Sequence, residues 1–346
     1  MQYVVSCISP LQYPIEILFG LLRSKSEIVS FQGDRYCFVE WGKPACFFID
    51  EQTDKPIPEI IDTIWLSIIE KTFYSVVNSL PTKKLEKVFK IHDDVSGEPV
   101  FEYLVIGVAP YGGLAIWVHG ATKSVLIDWI HGEKTEVDMK DFLPLTPNVS
   151  LDDYCKSVIE NDSIAPKNFK TNGGLKRDLY KKYMQQFNYR YLTLFEHWVK
   201  DHEEWKNYND DEIIPEFDFI EETLFDGTHD KLHDGALMNY HQAGKPKKLA
   251  VKWHIKKSEY TAYFWFEDEE ICKVFDRFYG AHPETKTDFM IRIDSEHNKY
   301  ELSLYRYGLK EPQVISESAF QLLVFKNKFE YYRSENYDQP RGAWIW

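Results

Sequence analysis

Apolar and polar residues alternate in two separated stretches of the chain, and each stretch is interrupted by a short segment of helical spacing. From Ile64 to Ser79 the alternation reads as two strands turning near Glu70 and Lys71. Pro81 to Lys90 follows with Leu85, Val88 and Phe89 at three- and four-residue spacing, which places them on one face of a helix. Strands are expected again over Tyr103 to Val108 and Leu114 to His119. The same order returns roughly 186 residues later. Leu249 to Phe266 turns near Lys257 and Ser258, Asp268 to Tyr279 carries Ile271, Val274 and Phe275 on one helical face, and strands follow over Asp288 to Ile293 and Tyr300 to Tyr305. In this register Phe73 matches Tyr260, and Ile116 with Val118 matches Leu302 with Leu304.

The pattern predicts an α+β fold with a duplicated ββαββ unit, its antiparallel sheets each carrying a helix on one face. The end signals agree: Pro81 suits a first helical position, and Asp268, Glu269 and Glu270 suit the positive end of a helix dipole. Tyr111-Gly112-Gly113 and Ser295-Glu296-His297-Asn298 suit hairpin turns. Residues 1–137 are expected to hold the first copy with an N-terminal extension, 138–244 a linker and helical region, and 245–346 the second copy with an aromatic tail. Within the middle region, Leu151 to Glu160 reads as a short helix and Leu175 to Trp205 as a long helical stretch.

Composition narrows the function classes. Hydrophobic residues make up 44% of 346 and aromatics 16%, enough to fill a large interior. Asp and Glu number 55 against 41 Lys and Arg, a formal charge of -14, which repels phosphate backbones and suits a basic protein partner. Nucleic acid is therefore not an expected partner. Five cysteines, Cys7, Cys37, Cys46, Cys155 and Cys272, include no CxxC pair and read as reduced thiols. Met1 to Pro14 lacks a basic n-region and a small-residue cleavage site, and no apolar run reaches the length of a membrane span. The chain reads as cytoplasmic, with no membrane partner.

The run from Tyr111 to Gly120 (YGGLAIWVHG), Phe187-Asn188-Tyr189-Arg190-Tyr191, Phe225-Asp226-Gly227-Thr228 and Gly244-Lys245-Pro246-Lys247-Lys248-Leu249 together resemble a bacterial family, the domain of unknown function numbered 2931. The likeness is read from about Asp62 onward. Members of that family are often lipoproteins, whereas this sequence has no lipobox ahead of Cys7. The resemblance implies no catalytic residues. By their company in toxin gene clusters, members look like immunity proteins.

Candidate chemistry lies in four places. From Asp201 to Asp226 eleven acidic residues face one basic residue, Lys206, interleaved with Trp205, Tyr208, Phe217, Phe219 and Phe225. Such a run is a solvated face or a surface that steers and anchors a basic partner, and Glu203, Glu204, Trp205, Tyr208, Asp210, Asp211 and Glu212 are the candidate contacts. His229 and His233, four apart on an expected helix, share a face as metal ligands do, although a zinc-protease helix has Glu after the first His and a third ligand downstream. Trp117, His119, Trp129 and His131 are core residues or the lining of a pocket. Aromatic residues crowd the end of the chain, from Tyr331 to Trp346, and Lys245, Lys247, Lys248, Lys252, Lys256 and Lys257 form a local basic patch. No nucleophile elbow, phosphate loop or dinucleotide fingerprint occurs. The expected function is an immunity protein that binds and occludes a bacterial toxin, with no catalysis, cofactor or metal. A metal-dependent hydrolase using His229 and His233, or a non-catalytic adaptor, are the other readings.

Overall fold

The computed structural model describes residues 1–10, 13–31, 40–45, 53–93, 96–162, 175, 182–198, 205–207, 215–233, 239–294 and 296–338. Half of the architecture is strand, and the chain divides into two compact units, Met1–Asp178 and Leu179–Pro340. The stretch 138–244 is thereby split between them.

Unit 1 contains β1 (Gln2–Ile8), β2 (Ile15–Arg23), β3 (Ile28–Ser30), β4 (Thr53–Asp54), β5 (Ile60–Ser67), β6 (Thr72–Ser79), α1 (Thr82–Phe89), β7 (Tyr103–Val108), β8 (Gly113–His119), β9 (Ser124–His131), β10 (Glu133–Thr135), α2 (Met139–Phe142) and α3 (Leu151–Asn161). One sheet runs β4-β1-β7-β8-β9, with β1 and β7 parallel, and the other runs β10-β6-β5-β2-β3. Their inner faces share a core of Val5, Leu104, Ile106, Ile116, Trp65 and Tyr74, into which α1 inserts Leu85, Val88 and Phe89. Leu66 and Phe73 point the other way, as alternation along a strand requires, and pack under Phe142 of α2 and Cys155 and Val158 of α3. The expected helix over Leu151 to Glu160 is α3, capped by Ser150, whose side chain accepts from Asp153 N–H.

Unit 2 contains β11 (Phe187–Trp198), β12 (Trp205–Asn207), β13 (Glu216–Leu224), β14 (His229–His233), β15 (His241–Ala243), β16 (Pro246–Ile255), β17 (Ser258–Phe266), α4 (Asp268–Tyr279), β18 (Lys286–Asp294), β19 (Tyr300–Tyr305), β20 (Gln313–Ile315), β21 (Phe320–Lys326) and β22 (Phe329–Arg333). One sheet runs β12-β11-β18-β19-β20, with β15 also on β11 and with β11 parallel to β18. The other runs β14-β13-β16-β17-β21-β22. Ile271, Cys272 and Phe275 of α4 are buried in the core the two sheets share.

Two expectations are corrected. The ββαββ segments do not each form one sheet with a helix on its face: the strands before each helix lie in one sheet and those after it in the other. Their missing neighbours, β1 and β2 in unit 1 and β11 and β13 in unit 2, come from far upstream in sequence. The long helix expected over Leu175 to Trp205 is, from Phe187 to Trp198, the strand β11. Phe187, Tyr189 and Tyr191 are buried while Asn188 and Arg190 are less so, a period of two that aromatic-rich strands favour.

Candidate functional site

Of the acidic and aromatic residues singled out as contacts, Glu203, Glu204, Tyr208, Asp210, Asp211 and Glu212 lie outside the described residues. Trp205 opens β12 and is the Cα partner of Trp198, with His197 opposite Lys206 and Glu196 opposite Asn207. The downstream part of the acidic run is mixed: Glu216 is exposed and Asp218 and Glu221 are half-buried, while two carboxylates turn inward. Along β13, Ile220, Glu222 and Leu224 share the inward side, so Glu222 is 2% exposed, and Asp226 in the following turn is 5% exposed.

Interior carboxylates persist only when paired, because desolvation of an unpaired one costs several kcal/mol or more. Glu222 accepts from the Tyr191 hydroxyl, lies 3.1 Å from Nε2 of His241 and 3.5 Å from the hydroxyl of Tyr189, which also donates to Gly244 O at 2.9 Å. Burial opposes a charge on His241, yet its hydrogen bond to Glu222 and that carboxylate's charge outweigh it and hold the imidazole above its ordinary pKa. Burial, then Glu222, pushes both phenols well above theirs. The cluster ties β11, β13 and β15 together, and its carboxylate is closed off by the two tyrosines. Asp226 accepts from Thr228 N–H at 2.8 Å and from Gln186 Nε2 at 3.2 Å, and burial raises its pKa. Asp226-Gly227-Thr228 forms the turn that joins β13 to β14 and starts no helix.

His229 and His233 consequently stand on a strand. Four residues along a strand span roughly 13 Å, too far for two imidazoles to share a metal. His229 is buried with Nδ1 3.8 Å from Glu221 Oε1, and exposed His233 has Nδ1 3.2 Å from Asp218 O. Among the described residues no group of three His, Cys, Asp or Glu side chains is placed to hold a metal ion.

The lysine patch is also dispersed. Lys245 is 0% exposed: Nζ donates to Lys182 O at 3.0 Å and Gln185 Oε1 at 2.8 Å and pairs with Asp276 Oδ1 at 3.0 Å. Lys252 sits between Glu259 at 2.8 Å and Asp218 at 3.6 Å. Of the C-terminal aromatics, Tyr331 donates to Glu296 O at 2.8 Å and Tyr337 lies 6.0 Å from Trp265; residues 339–346, including Trp344 and Trp346, lie outside the described residues.

In unit 1, Trp117, His119, Trp129 and His131 do not line one pocket. Trp117 is fully buried, edge-on to Trp41 at 4.8 Å; His119 is buried beside Tyr103; Trp129 is half-buried. His131 alone borders a cleft of 320 Å³, with Tyr74, Tyr111, Gly132, Glu133 and Lys134. The β7–β8 turn builds one wall. Tyr111 has φ 57° and ψ 29°, a left-handed conformation that costs a non-glycine residue about 1 kcal/mol or more. Glu70 holds it there, Oε2 accepting from Tyr111 N–H at 2.8 Å and Oε1 from the Tyr74 hydroxyl at 2.9 Å. Gly112, at φ 73°, accepts from Gly132 N–H at 2.7 Å, and a Cβ on Gly112 would lie 2.3 Å from Gly132 O.

The family model described as Protein of unknown function (DUF2931) matches residues 1–173, half of the chain. The chain belongs to that family. The match takes in β1 to β4, ahead of Asp62, and includes the Tyr111 turn; the segments of Phe187, Phe225 and Gly244 lie beyond it. No curated protein and no solved structure matches the chain. Among the described residues no helix is long and apolar enough to cross a membrane.

Proposed function

We propose that the chain is a non-catalytic binding protein that occludes a basic protein partner, a bacterial toxin, by way of the β11–β12 hairpin and the acidic residues that follow it. The observation that carries this reading is the pairing of Trp198 with Trp205. In sequence, Asp201, Glu203 and Glu204 fall between these two tryptophans, with Asp210, Asp211 and Glu212 shortly beyond. Glu222 and Asp226 face the interior, so neither of these two carboxylates is offered to a partner. A negative field raises the encounter rate with a basic surface, and aromatic side chains supply the desolvated contacts that hold it. Co-expression with the product of the adjacent gene tests the reading: a stable complex and rescue of growth support it, and neither complex nor rescue sinks it.

The fold reading behind this proposal is that the two units are copies of one unit larger than ββαββ. Both have a first strand parallel to the one after the helix, and both carry a bulge in the hairpin-bearing strand, between Ile17 and Phe19 and between Phe217 and Phe219. The core repeats in detail. Tyr3 packs on Phe89 with the Lys55 ammonium 5.6 Å from its ring, and Phe187 packs on Phe275 with the Lys245 ammonium 5.3 Å from its ring. Trp65 opposite Tyr74 is matched by Trp253 opposite Tyr260, each pair stacked. This register matches Tyr260 to Tyr74, one residue from the Phe73 read in sequence.

A further inference from the structure

Alternation along β11, β18, β19 and β20 sends every second side chain to the sheet face turned away from the core of unit 2. Register sets Leu192 beside Met290, then Ser303, then Val314, in one row across four strands. None of the four belongs to the core that the two sheets share. Leu192 is half-buried and Val314 is 47% exposed. The flanking rows have their charges matched. On one side Arg190 grips Asp288 through hydrogen bonds of 2.6 and 3.3 Å, and on the other Arg292 donates to Glu301 at 2.9 Å. In a chain of charge -14 this face therefore joins an apolar row to two neutralised ion pairs. Tyrosines stand at its rim: Tyr240 donates to Asp288 at 3.1 Å, and Tyr307 is fully exposed in the turn that follows β19.

The matching row of unit 1 is closed. There Ser6, Val105 and Trp117 lie side by side in register, each fully buried. Residues 31–52, which connect β3 to β4, supply cover: Trp41 meets Trp117 edge-on at 4.8 Å, and Ala45 N–H donates to Ser6 Oγ at 2.8 Å. If the two units are copies, the connection matching it in unit 2 runs from β14 to β15 and is much shorter, residues 234–240. Unit 2 has thus kept an apolar row on this face while losing most of the length that covers it in unit 1.

Neutral charge, apolar centre, arginine and tyrosine are the composition of the anchoring centre of a protein interface. β11, which supplies Leu192, leads in sequence into Asp201, Glu203 and Glu204. Steering charge therefore follows directly on the strand that carries the anchoring surface, as a partner with an apolar patch inside a basic rim requires. We propose that this face of the sheet is where the basic protein partner is anchored, the row from Leu192 to Val314 being desolvated by it. This rests on the function proposed above and gives that function its holding surface.

The test is association and dissociation kinetics of the full chain with the product of the adjacent gene. Tyr307→Ala with Val314→Lys should leave the urea midpoint unchanged, because both side chains are exposed. Dissociation should be about tenfold faster or more, with association nearly unchanged. Tyr307→Ala alone should give a smaller acceleration, and Val77→Lys, at an exposed strand position of unit 1, none. A complex that forms with the wild type and dissociates no faster with the double variant overturns this anchoring face and leaves the acidic segment standing. A wild type that sediments as a dimer, and a double variant that sediments as a monomer, would overturn it in favour of a second copy of the chain. No complex with the wild type at all removes the proposed function, and the anchoring face with it.

Discussion

Nε2 of His241 lies 3.1 Å from Oε1 of Glu222, a carboxylate in the interior of unit 2, and the pair anchors the three-residue strand β15 to its neighbours. The pKa of His241 is raised in the folded chain, burial being outweighed by Glu222, so the imidazolium is the form that stabilises. Its contribution is full below the unfolded value of about 6.5 and is lost as pH rises through the folded value. Asp230 adds to the same effect, and the Tyr189 and Tyr191 phenols stay neutral throughout. Urea midpoints measured from pH 6 to pH 9 should fall for the wild type relative to His241→Gln. Parallel profiles for the two proteins would show that the pair does not couple to folding.

His297 works in the opposite direction. Its ring stacks on Tyr260 at 4.4 Å and on Trp253 at 5.9 Å, and burial, with a smaller push from Lys326, lowers its pKa to about 4. The neutral ring is the folded form. Its full contribution is present above about 6.5 and is lost as pH falls from there to about 4, at a cost of up to about 3 kcal/mol. His297→Phe keeps an aromatic ring and removes the titration, so it should flatten the acid limb of a stability profile. An unchanged acid limb would assign that loss to other groups.

Lys245 is a buried cation whose partners, Asp276, Gln185 and the Lys182 carbonyl, converge from several segments. Lys245→Met keeps the stem against Phe187 and removes the charge, leaving those acceptors unmatched. The expected loss is about 2 kcal/mol, because the ammonium's hydrogen bonds are lost although half-exposed Asp276 and exposed Gln185 regain water. Chemical denaturation followed by far-UV dichroism reads it, and a loss under about 1 kcal/mol would mean that water replaces the ammonium.

The elements legible in the sequence were those whose pattern is local. Leu85 with Val88 and Phe89, and Ile271 with Phe275, mark α1 and α4 because helical spacing alone puts them on one buried face. β7 and β19 begin and end where alternation says they should. What stayed hidden depends on partners distant in sequence: nothing near Val4 announces that it pairs with Tyr103. β11 departs from the helical expectation because a stretch dense in Tyr, Phe, Lys and Arg fits either period until its neighbours β15 and β18 are known. The same limit governed the site. Glu222 and Lys245 look like members of exposed charge runs, and only the register of β13 on β16 and the closure of unit 2 around Lys245 turn them inward. His241 carries no local signal, since its role is set by Glu222 on another strand.

The assignment of the acidic segment to a basic partner is tested most directly by association kinetics against the product of the adjacent gene, at low and high salt. The quadruple variant Glu203→Lys, Glu204→Lys, Asp210→Lys, Asp211→Lys should associate about tenfold or more slowly at low salt and lose most of the wild type's salt dependence. Dissociation should change much less, since steering acts mainly on the encounter. Equal association rates for the two proteins at low salt would contradict the assignment and move the interface elsewhere on the molecule.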